Sequence, residues 1–301
     1  MRPPMIRTFH HADFDAGRLA ELKRHQEHTV SVCLPARDEA RTVGSIVEVI
    51  VGLARTTGLV DEVVVVDDHS TDDTAAVAAA AGARVVRVGD VLTHLEPGEG
   101  KGEALWTSLV AARGDIIAWV DADITDFGER FVVGLLGPLL ARPDVGFVKG
   151  FYDRPLSDEG EGGGRVTELV ARPLVATLFP HLASIVQPLA GEYAGRRSVL
   201  ERMPFVQGYG VDLGLLVDIA AADGVESMAQ VDLGTRRHRN RPLHQLGPQA
   251  LAVLQAALRR AAPDLGDEVA TLVRPDREPV QVSVGERPPL VEVPGYRRRT
   301  A

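Results

Sequence analysis

The 301-residue sequence has little of several features that would mark a particular class of protein. It contains one cysteine, Cys33, which excludes a disulfide framework and a cysteine-rich zinc site. Its uncharged apolar runs fall short of about 18 residues, so we expect neither a membrane span nor a membrane partner. Positive charge is outweighed, since 33 Lys and Arg against 42 Asp and Glu give a net charge of −9. Nucleic acid is therefore not an expected partner.

The remaining composition is that of an ordinary globular protein, with 45% hydrophobic and 25% charged residues. The amino-terminal stretch MRPPMIRTFHHADFDAG lacks the apolar core of a secretory signal, so a cytoplasmic location is expected. The length suits one large domain or two closely joined domains.

Strand patterns alternate with helical periodicity between residues 29 and 153. This order predicts βαβ units and a mostly parallel sheet flanked by helices, an α/β fold of the Rossmann-like kind. The strand patterns are nearly continuous apolar runs, as expected for a sheet that is covered on both faces. The predicted strands are 29–35, 62–66, 83–89, 115–121 and 145–153, and the predicted helices are 39–55, 72–81, 103–113 and 128–141.

Changes in composition and in hydrophobic pattern along the chain predict four segments. A further strand is predicted at 225–233, and the alternation of PVQVSV (279–284) predicts a strand that pairs within the chain or between subunits. The segments are an amino-terminal arm (1–28) that ends in a helix, the sheet-forming domain (29–153), a mixed and more helical part (154–262) and a carboxyl-terminal tail (263–301).

Two common nucleotide-binding motifs are missing. A dinucleotide fingerprint would place G-x-G-x-x-G at the turn after the first strand, where the chain reads PARDE (35–39). The pair GK (100–101) is followed by Gly102 rather than by Ser or Thr, so it is not a P-loop. Binding of NAD and P-loop chemistry are therefore disfavoured.

Acidic residues follow two of the predicted strands. Asp121-Ala122-Asp123 ends the strand IIAWV, and Asp67 and Asp68 end the strand VVVV. Parallel sheets bind ligands beyond the carboxyl ends of their strands. Paired carboxylates there suit a hard divalent cation, and a single carboxylate suits a ribose or a base. The alternatives are a chance triplet in an acidic loop and a helix cap formed by STD (70–72).

Basic residues gather in three loops of this acidic chain. Lys101 lies between glycines in PGEGKGEALW, GGGRVT (162–167) opens a predicted helix, and TRRHRNR (235–241) places four arginines around His238. Such loops offer cations, free amides and hydroxyls to a phosphate. An imidazole can join a carboxylate such as Asp123 around a metal ion. Solvated loops and a flexible linker are the alternatives.

Asp212 lies in GYGVDLG, where a glycine-rich turn enters a predicted helix. It is a candidate to orient a sugar hydroxyl or to act as a base. The alternative is an acidic side chain that only stabilises the helix N-terminus.

The chain contains, in this order, LPARDEA, VVVVDDHSTDDT, GKGEALW, VDAD, GGGRVTEL, QPLAGEYAGRR, GYGVDLG and RRHRNRPL. This set resembles the actinobacterial glucosyl-3-phosphoglycerate synthase family, which consists of nucleotide-sugar glycosyltransferases of the GT-A fold. The resemblance covers about residues 28–260. It implies that 29–153 bind the nucleotide sugar, that 154–262 bind the acceptor and complete the metal site, and that the tail is associated with the dimer.

The resemblance also implies an activity, which is transfer of glucose from UDP-glucose to the 2-hydroxyl of 3-phosphoglycerate with retention of configuration. The implied cofactor is Mg²⁺, with Mn²⁺ or Co²⁺ as substitutes, and the implied assembly is a homodimer. Asp123 and His238 would ligate the metal, and Asp212 and Asp123 would be catalytic. The implied donor contacts are Pro35, Ala36, Glu39, Asp68, Lys101, Asp121, Ala122 and the Leu189 backbone. The implied acceptor contacts are Gly164, Arg165, Thr167, Arg236 and Asn240.

The sequence departs from the family pattern at three places. Arg37-Asp38 replaces the usual Leu-Asn, His69 replaces a common Gly, and Asp212 replaces the usual Glu. The shorter side chain of Asp212 leaves its reach open, and an inverting reaction with Asp212 as the base is an alternative to retention.

Two other functions stay open at this point. The nearest alternative is a mannosyl-3-phosphoglycerate synthase that uses GDP-mannose. It stays open because only a few pocket residues select the nucleotide base, and the sequence does not rank them. A non-catalytic sugar-nucleotide-binding protein is the other, and its binding would survive the loss of Asp123 and His238.

Overall fold

The computed structural model describes residues 5–96, 98–154, 164–237, 242–265, 269–283 and 285–296. Its strands are β1 (Arg7–His10), β2 (Val30–Ala36), β3 (Glu62–Asp67), β4 (Arg84–Arg87), β5 (Ile116–Trp119), β6 (Phe147–Asp153), β7 (Tyr193–Arg196), β8 (Phe205–Val206), β9 (Met228–Thr235), β10 (Val269–Arg274), β11 (Arg277–Ser283) and β12 (Glu286–Arg287). Its α-helices are α1 (Ala16–His25), α2 (Val43–Thr57), α3 (Thr74–Ala80), α4 (Lys101–Ala111), α5 (Glu129–Ala141), α6 (Arg172–Leu178), α7 (Arg197–Leu200), α8 (Val211–Asp223) and α9 (Leu243–Ala261). A π-helical turn, Thr167–Ala171, leads into α6.

Eight strands form one sheet in the order β1-β9-β6-β7-β5-β2-β3-β4. They pair in parallel except β7, which runs antiparallel to both of its neighbours. Each strand and each helix predicted between residues 29 and 153 is present, so the predicted α/β fold with a mostly parallel sheet is confirmed.

Apolar side chains pack on both faces of this sheet. Helices α1, α2 and α5 cover one face, and α4, α6 and α8 cover the other. Along β2, Val32 and Leu34 contact the first layer and Cys33 the second, because successive side chains of a strand point to opposite faces. All three are fully buried, which explains the continuous apolar run in the sequence.

The predicted amino-terminal arm is part of the sheet. Its strand β1 pairs in parallel with β9, and α1, the helix expected at its end, packs against α5. The predicted strand at 225–233 is β9, which begins at Met228 after a 3₁₀ turn, Val225–Ser227. Because β7 and β9 pair with strands that precede residue 153, one sheet spans both predicted central segments.

The predicted tail packs on its own chain. The strand expected at 279–284 is β11, which forms a hairpin with β10. Farther on, Arg287 donates to both oxygens of Glu103 at 2.6 and 2.8 Å, and Trp106 Nε1 donates to the carbonyl of Pro288 at 3.1 Å. Both partners lie on α4, so the tail supports the helix that begins at Lys101. Its association with a dimer stays a prediction.

The sheet topology brings three strand ends together. Strands β5, β2 and β3 are parallel neighbours, so the segments that follow them meet at one edge. Ligands of open α/β sheets bind beyond such an edge. In the part of the chain that the structure describes, no helix is both long and apolar enough to span a membrane.

Candidate active site

A cleft of about 340 Å³ lies at this edge, a volume suited to a small-molecule ligand. Every predicted site residue that the structure describes lines this cleft. His238 and Asn240 lie outside the described residues. The predicted residues that line the cleft are Pro35, Ala36, Glu39, Asp68, Lys101, Asp121, Ala122, Asp123, Gly164, Arg165, Thr167, Leu189, Asp212 and Arg236.

Asp121 and Asp123 bind the same guanidinium group, that of Arg236. Arg236 Nη2 donates to Asp121 Oδ2 at 3.0 Å and to Asp123 Oδ1 at 2.8 Å, and Lys101 Nζ lies 3.1 Å from Asp121 Oδ1. Burial by itself would raise the pKa of Asp121, but the charges of Lys101 and Arg236 outweigh it and hold that pKa well below its ordinary value. The first carboxylate is therefore ionised at neutral pH.

This donor set fits a divalent cation in part. Carboxylate oxygens at a strand end are the ligands that Mg²⁺ and Mn²⁺ prefer. Among the described residues, no group of three or more His, Cys, Asp and Glu side chains is arranged around a common point. The predicted third group, His238, is outside them, so Asp121 and Asp123 are the donors that the structure shows.

Arg236 lines the cleft, and its side chain is already paired within the chain. It was predicted as an acceptor contact, and its side chain is 4% exposed, with Nη1 donating to Tyr152 Oη at 3.0 Å. Burial would lower the pKa of Arg236, but nearby carboxylates, Glu192 first among them, raise it well above its ordinary value. Its direct partners here are thus carboxylates of the chain, and its contact with an acceptor stays a prediction.

Lys101 joins the two sides of the cleft. Its Nζ also lies 3.3 Å from Asp212 Oδ2, so one ammonium bridges the end of β5 and the start of α8. The flanking glycines make this placement feasible. Gly100 has φ of 92°, and a Cβ atom on Gly102 would lie 1.6 Å from the carbonyl oxygen of Val206. The run GEGKG thus packs α4 directly on β8.

Asp68 lines the cleft, and its contact with the donor stays a prediction. Its Oδ2 accepts a hydrogen bond from the amide of Gly100 at 3.0 Å, and Arg37 Nη1 lies 3.9 Å from the same oxygen. The helix cap considered at STD (70–72) differs from the structure, because α3 begins at Thr74 with Asp73 at the N-cap position and without a side-chain cap bond. Asp72 Oδ1 still accepts from the amide of Thr74 at 3.0 Å, at the first residue of the helix.

Two departures from the family pattern share one conformation. Asp38 has φ of 56° and His69 has φ of 58°, within the left-handed region that favours Gly, Asn and Asp. A glycine is therefore the natural residue at position 69, and aspartate suits position 38 nearly as well as asparagine. Both loops keep their shape through Asp38 Oδ1, which accepts from the amide of Thr71 at 2.7 Å.

The predicted acceptor side contains a residue that the sequence analysis missed. Gly164, Arg165 and Thr167 line the cleft at the start of the π-helical turn, and Arg154 lines it beside them. Arg154 Nη2 donates to Tyr152 Oη at 3.1 Å. The available signal was its position directly after a predicted strand, where the other site residues also lie.

Two buried charged residues near the cleft were not among the predicted site residues. Glu192 is fully buried 3.4 Å from Arg236 Nε, and burial raises its pKa. Lys149 is 2% exposed within β6. A lysine inside the apolar run VGFVKGFYD was a visible signal, but its partner lies far away in the sequence.

Comparison with known proteins identifies relatives of this chain. The family described as "Glycosyl transferase family 2" matches residues 31–172. The glucosyl-3-phosphoglycerate synthase of Petrotoga mobilis is 42% identical, over 97% of this chain and 96% of its own length. The enzyme of the same name from Mycolicibacterium smegmatis is 50% identical, over 87% of this chain and 89% of its own length.

The fold has a close counterpart among solved structures. Glucosyl-3-phosphoglycerate synthase from Mycobacterium tuberculosis, in complex with Mn²⁺, UDP-glucose and phosphoglyceric acid, superposes with a TM-score of 0.86 at 43% identity. The match covers 95% of this chain and 98% of that one. The fold is thus the GT-A glycosyltransferase fold, and the chain belongs to the glucosyl-3-phosphoglycerate synthase family.

Proposed function

We propose that the protein transfers glucose from UDP-glucose to the 2-hydroxyl of 3-phosphoglycerate, with retention, and forms glucosyl-3-phosphoglycerate. The observation that carries the proposal is the joint placement of an acidic pair, Asp121 and Asp123, and a cationic wall, Arg154 and Arg165, in one cleft. Relatives of that name share 42% and 50% identity with the chain, and the Mycobacterium tuberculosis relative binds both substrates with Mn²⁺.

The reaction depends on a divalent cation, for which we propose Mg²⁺, with Mn²⁺ or Co²⁺ able to replace it. Asp123, with His238, would hold it through an oxygen and an imidazole nitrogen. When bound, the cation supplies positive charge that stabilises the departing diphosphate.

The residues of the chain orient the two substrates. Asp68 binds the uridine at the donor end, and Asp212, fixed by Lys101, accepts a hydrogen bond from a hydroxyl of the glucose. Arg165 and Thr167 hold the phosphate of the acceptor at the start of a helix. The 2-hydroxyl oxygen then bonds to the anomeric carbon while the bond from that carbon to the diphosphate breaks. The hydroxyl proton passes to the departing diphosphate on the same face.

The test is a matrix of donors and acceptors. UDP-glucose, GDP-glucose and GDP-mannose are each incubated with 3-phosphoglycerate or glycerate, in Mg²⁺, Mn²⁺, Co²⁺ or EDTA, and the product is followed by NMR. We expect transfer from UDP-glucose to 3-phosphoglycerate, an α-anomeric coupling constant in the product and no reaction in EDTA. No transfer from any donor to 3-phosphoglycerate would refute the proposal, and a β-linked product would assign Asp212 as an inverting base.

The same matrix separates the rivals. Preference for GDP-mannose would identify a mannosyl transferase. Binding of UDP-glucose without turnover, unchanged by Asp123→Asn, would identify a non-catalytic binding protein. The homodimer and the cytoplasmic location stay predictions, which sedimentation of the protein and fractionation of cells would check.

A further inference from the structure

Lys149 lies behind the cleft, in the middle of β6. Its Nζ lies 4.0 Å from Asp212 Oδ1 and 4.2 Å from the centre of the Tyr193 ring, and the side chain does not line the cleft. Neither Lys149 Nζ nor Asp212 Oδ1 has a hydrogen-bond partner in the structure. A buried ammonium is unfavourable unless a negative group faces it, so the interaction with Asp212 needs an explanation.

The Asp212 carboxylate lies between two lysines. Lys101 contacts Oδ2 from the cleft side, and Lys149 faces Oδ1 from the sheet side. Lys101 divides its charge between Asp212 and Asp121, whereas Asp212 is the one ion-pair partner of Lys149 among the described residues. The aspartate side chain is 7% exposed, so its orientation is set by these protein groups more than by water.

We propose that Lys149 is a positioning residue, which keeps the Asp212 carboxylate turned toward the donor sugar without touching either substrate. The inference rests on the proposed function, because it assigns Lys149 to the sugar contact of that reaction. Deleting the ammonium group leaves Lys101 as the one ion-pair partner of Asp212 among the described residues, and Asp121 competes for that ammonium. The carboxylate is then free to turn away from the sugar.

The surroundings of Lys149 are consistent with this role. Burial lowers the pKa of Lys149 to about 8, and Asp212 opposes that shift. The other charged groups that face it are Lys101, which adds to the lowering, and Glu192 and Asp121, which oppose it. Lys149 is therefore mostly protonated at pH 7, and the ammonium needed for the contact is present.

A purely structural role would also explain a buried lysine, because the ammonium packs on the Tyr193 ring. If the role is purely structural, replacing Lys149 lowers the stability of the protein and changes the affinities for UDP-glucose and for UDP equally. The two explanations are separated by measuring the sugar contact itself, as the difference between the affinities for UDP-glucose and for UDP.

The variants are Lys149→Met, which keeps most of the length of the side chain and removes its charge, and Lys149→Arg, which keeps the charge. Lys23→Met is the matched control, because Lys23 is also a buried lysine, 4% exposed, and pairs with Asp61 at 2.7 Å away from the cleft. Calorimetry gives the affinities for UDP and UDP-glucose, and steady-state kinetics give kcat and both KM values.

We expect Lys149→Met to lower kcat by roughly 10- to 100-fold and to weaken UDP-glucose binding, while UDP affinity and the KM for 3-phosphoglycerate change by less than about threefold. Lys149→Arg should recover at least about fivefold of the lost kcat, and Lys23→Met should leave kcat within about twofold of the wild type. A folded Lys149→Met protein with unchanged kcat and UDP-glucose affinity would overturn the proposal.

A double-mutant cycle shows whether Lys149 acts through Asp212. In the Asp212→Asn background, Lys149→Met should change UDP-glucose affinity by less than about twofold. Additive effects would refute the proposal. If Lys149→Met does not fold, Lys149→Gln replaces it under the same criteria. If the wild-type protein makes no glucosyl-3-phosphoglycerate, the proposed function fails, and the affinity cycle still decides the role of Lys149.

Discussion

Replacing Arg236 with methionine tests how the acidic pair of the cleft is held. One guanidinium donates to Asp121 at 3.0 Å, to Asp123 at 2.8 Å and to Tyr152 at 3.0 Å, and it is 4% exposed. Methionine fills most of the same volume but donates nothing. Three carboxylates then lose this positive charge, because the fully buried Glu192 also lies 3.4 Å from Arg236 Nε.

The loss of stability follows from these contacts. A hydrogen bond to a charged group contributes about 1.5–3 kcal/mol. The sum for two such bonds is reduced, because the side chains of Asp121 and Asp123 are 23% and 31% exposed and Asp121 keeps Lys101. Glu192 adds to this loss, because its carboxylate is fully buried and Arg236 is its one ion-pair partner among the described residues. We expect a loss of at least about 3 kcal/mol in the absence of metal, which lowers Tm by about 5 °C or more in a chain of this size.

The assay is thermal unfolding in EDTA and in Mn²⁺. We expect Mn²⁺ to raise the Tm of Arg236→Met more than that of the wild type, because the cation replaces the missing charge at Asp123. Arg260→Met is the control, since Arg260 is 8% exposed and pairs with Asp218 and Glu286 at 2.8 Å each, outside the cleft. It should lose stability without recovery by Mn²⁺. A Tm unchanged in Arg236→Met, or recovery equal to that of the control, would refute the argument.

Three further substitutions test the remaining assignments. Asp123→Asn should reduce turnover by more than about 100-fold at every Mn²⁺ concentration, because it removes a metal ligand; a near-normal rate would contradict that assignment. Arg154→Gln should raise the KM for 3-phosphoglycerate about tenfold and leave the KM for UDP-glucose unchanged, as initial rates would show. An equal rise in both KM values would argue against an acceptor role. Gly102→Ala should fail to fold stably or should lower Tm by more than about 10 °C, because its Cβ would lie 1.6 Å from the Val206 carbonyl oxygen. Thermal unfolding checks this, and an unchanged Tm would mean that α4 shifts freely.

The location of the cleft could be predicted because it follows from strand order. Apolar runs identify β2, β3 and β5, and the rule for parallel sheets places PARDE, Asp68 and Asp121 at one edge. These inferences need only local sequence and topology. They explain why the predicted donor contacts that follow these three strands line the same cleft.

The internal charge pairs could not be predicted in the same way. Lys149 and Asp212 belong to β6 and α8, and their approach depends on the position of β6 within the sheet, next to the antiparallel strand β7. The basic loop at 235–241 indicated an anion site, yet its buried Arg236 pairs with carboxylates of the chain. A sequence shows which charges are available but not which of them are already paired in the folded state.

Arg236 is paired with Asp123 in the structure, and Asp123 is also the proposed metal ligand. A cation that binds Asp123 competes with the guanidinium for the same carboxylate, which reduces the hold of Asp123 on Arg236. The charge of the guanidinium is then less neutralised by Asp123, so it attracts an anionic acceptor in the cleft more strongly. We therefore expect 3-phosphoglycerate to bind about threefold to tenfold more tightly in the presence of Mn²⁺ and UDP than in their absence.

Calorimetry of 3-phosphoglycerate with and without Mn²⁺ and UDP measures this coupling. In Arg236→Lys, which keeps a charge but lacks the fork that reaches both carboxylates, the gain should shrink to less than about twofold. Coupling that persists in Arg236→Lys would place its origin elsewhere in the cleft. Equal affinities in the wild type would mean that the guanidinium stays on Asp121 and Asp123 throughout the reaction, and the acceptor would then depend on Arg154 and Arg165.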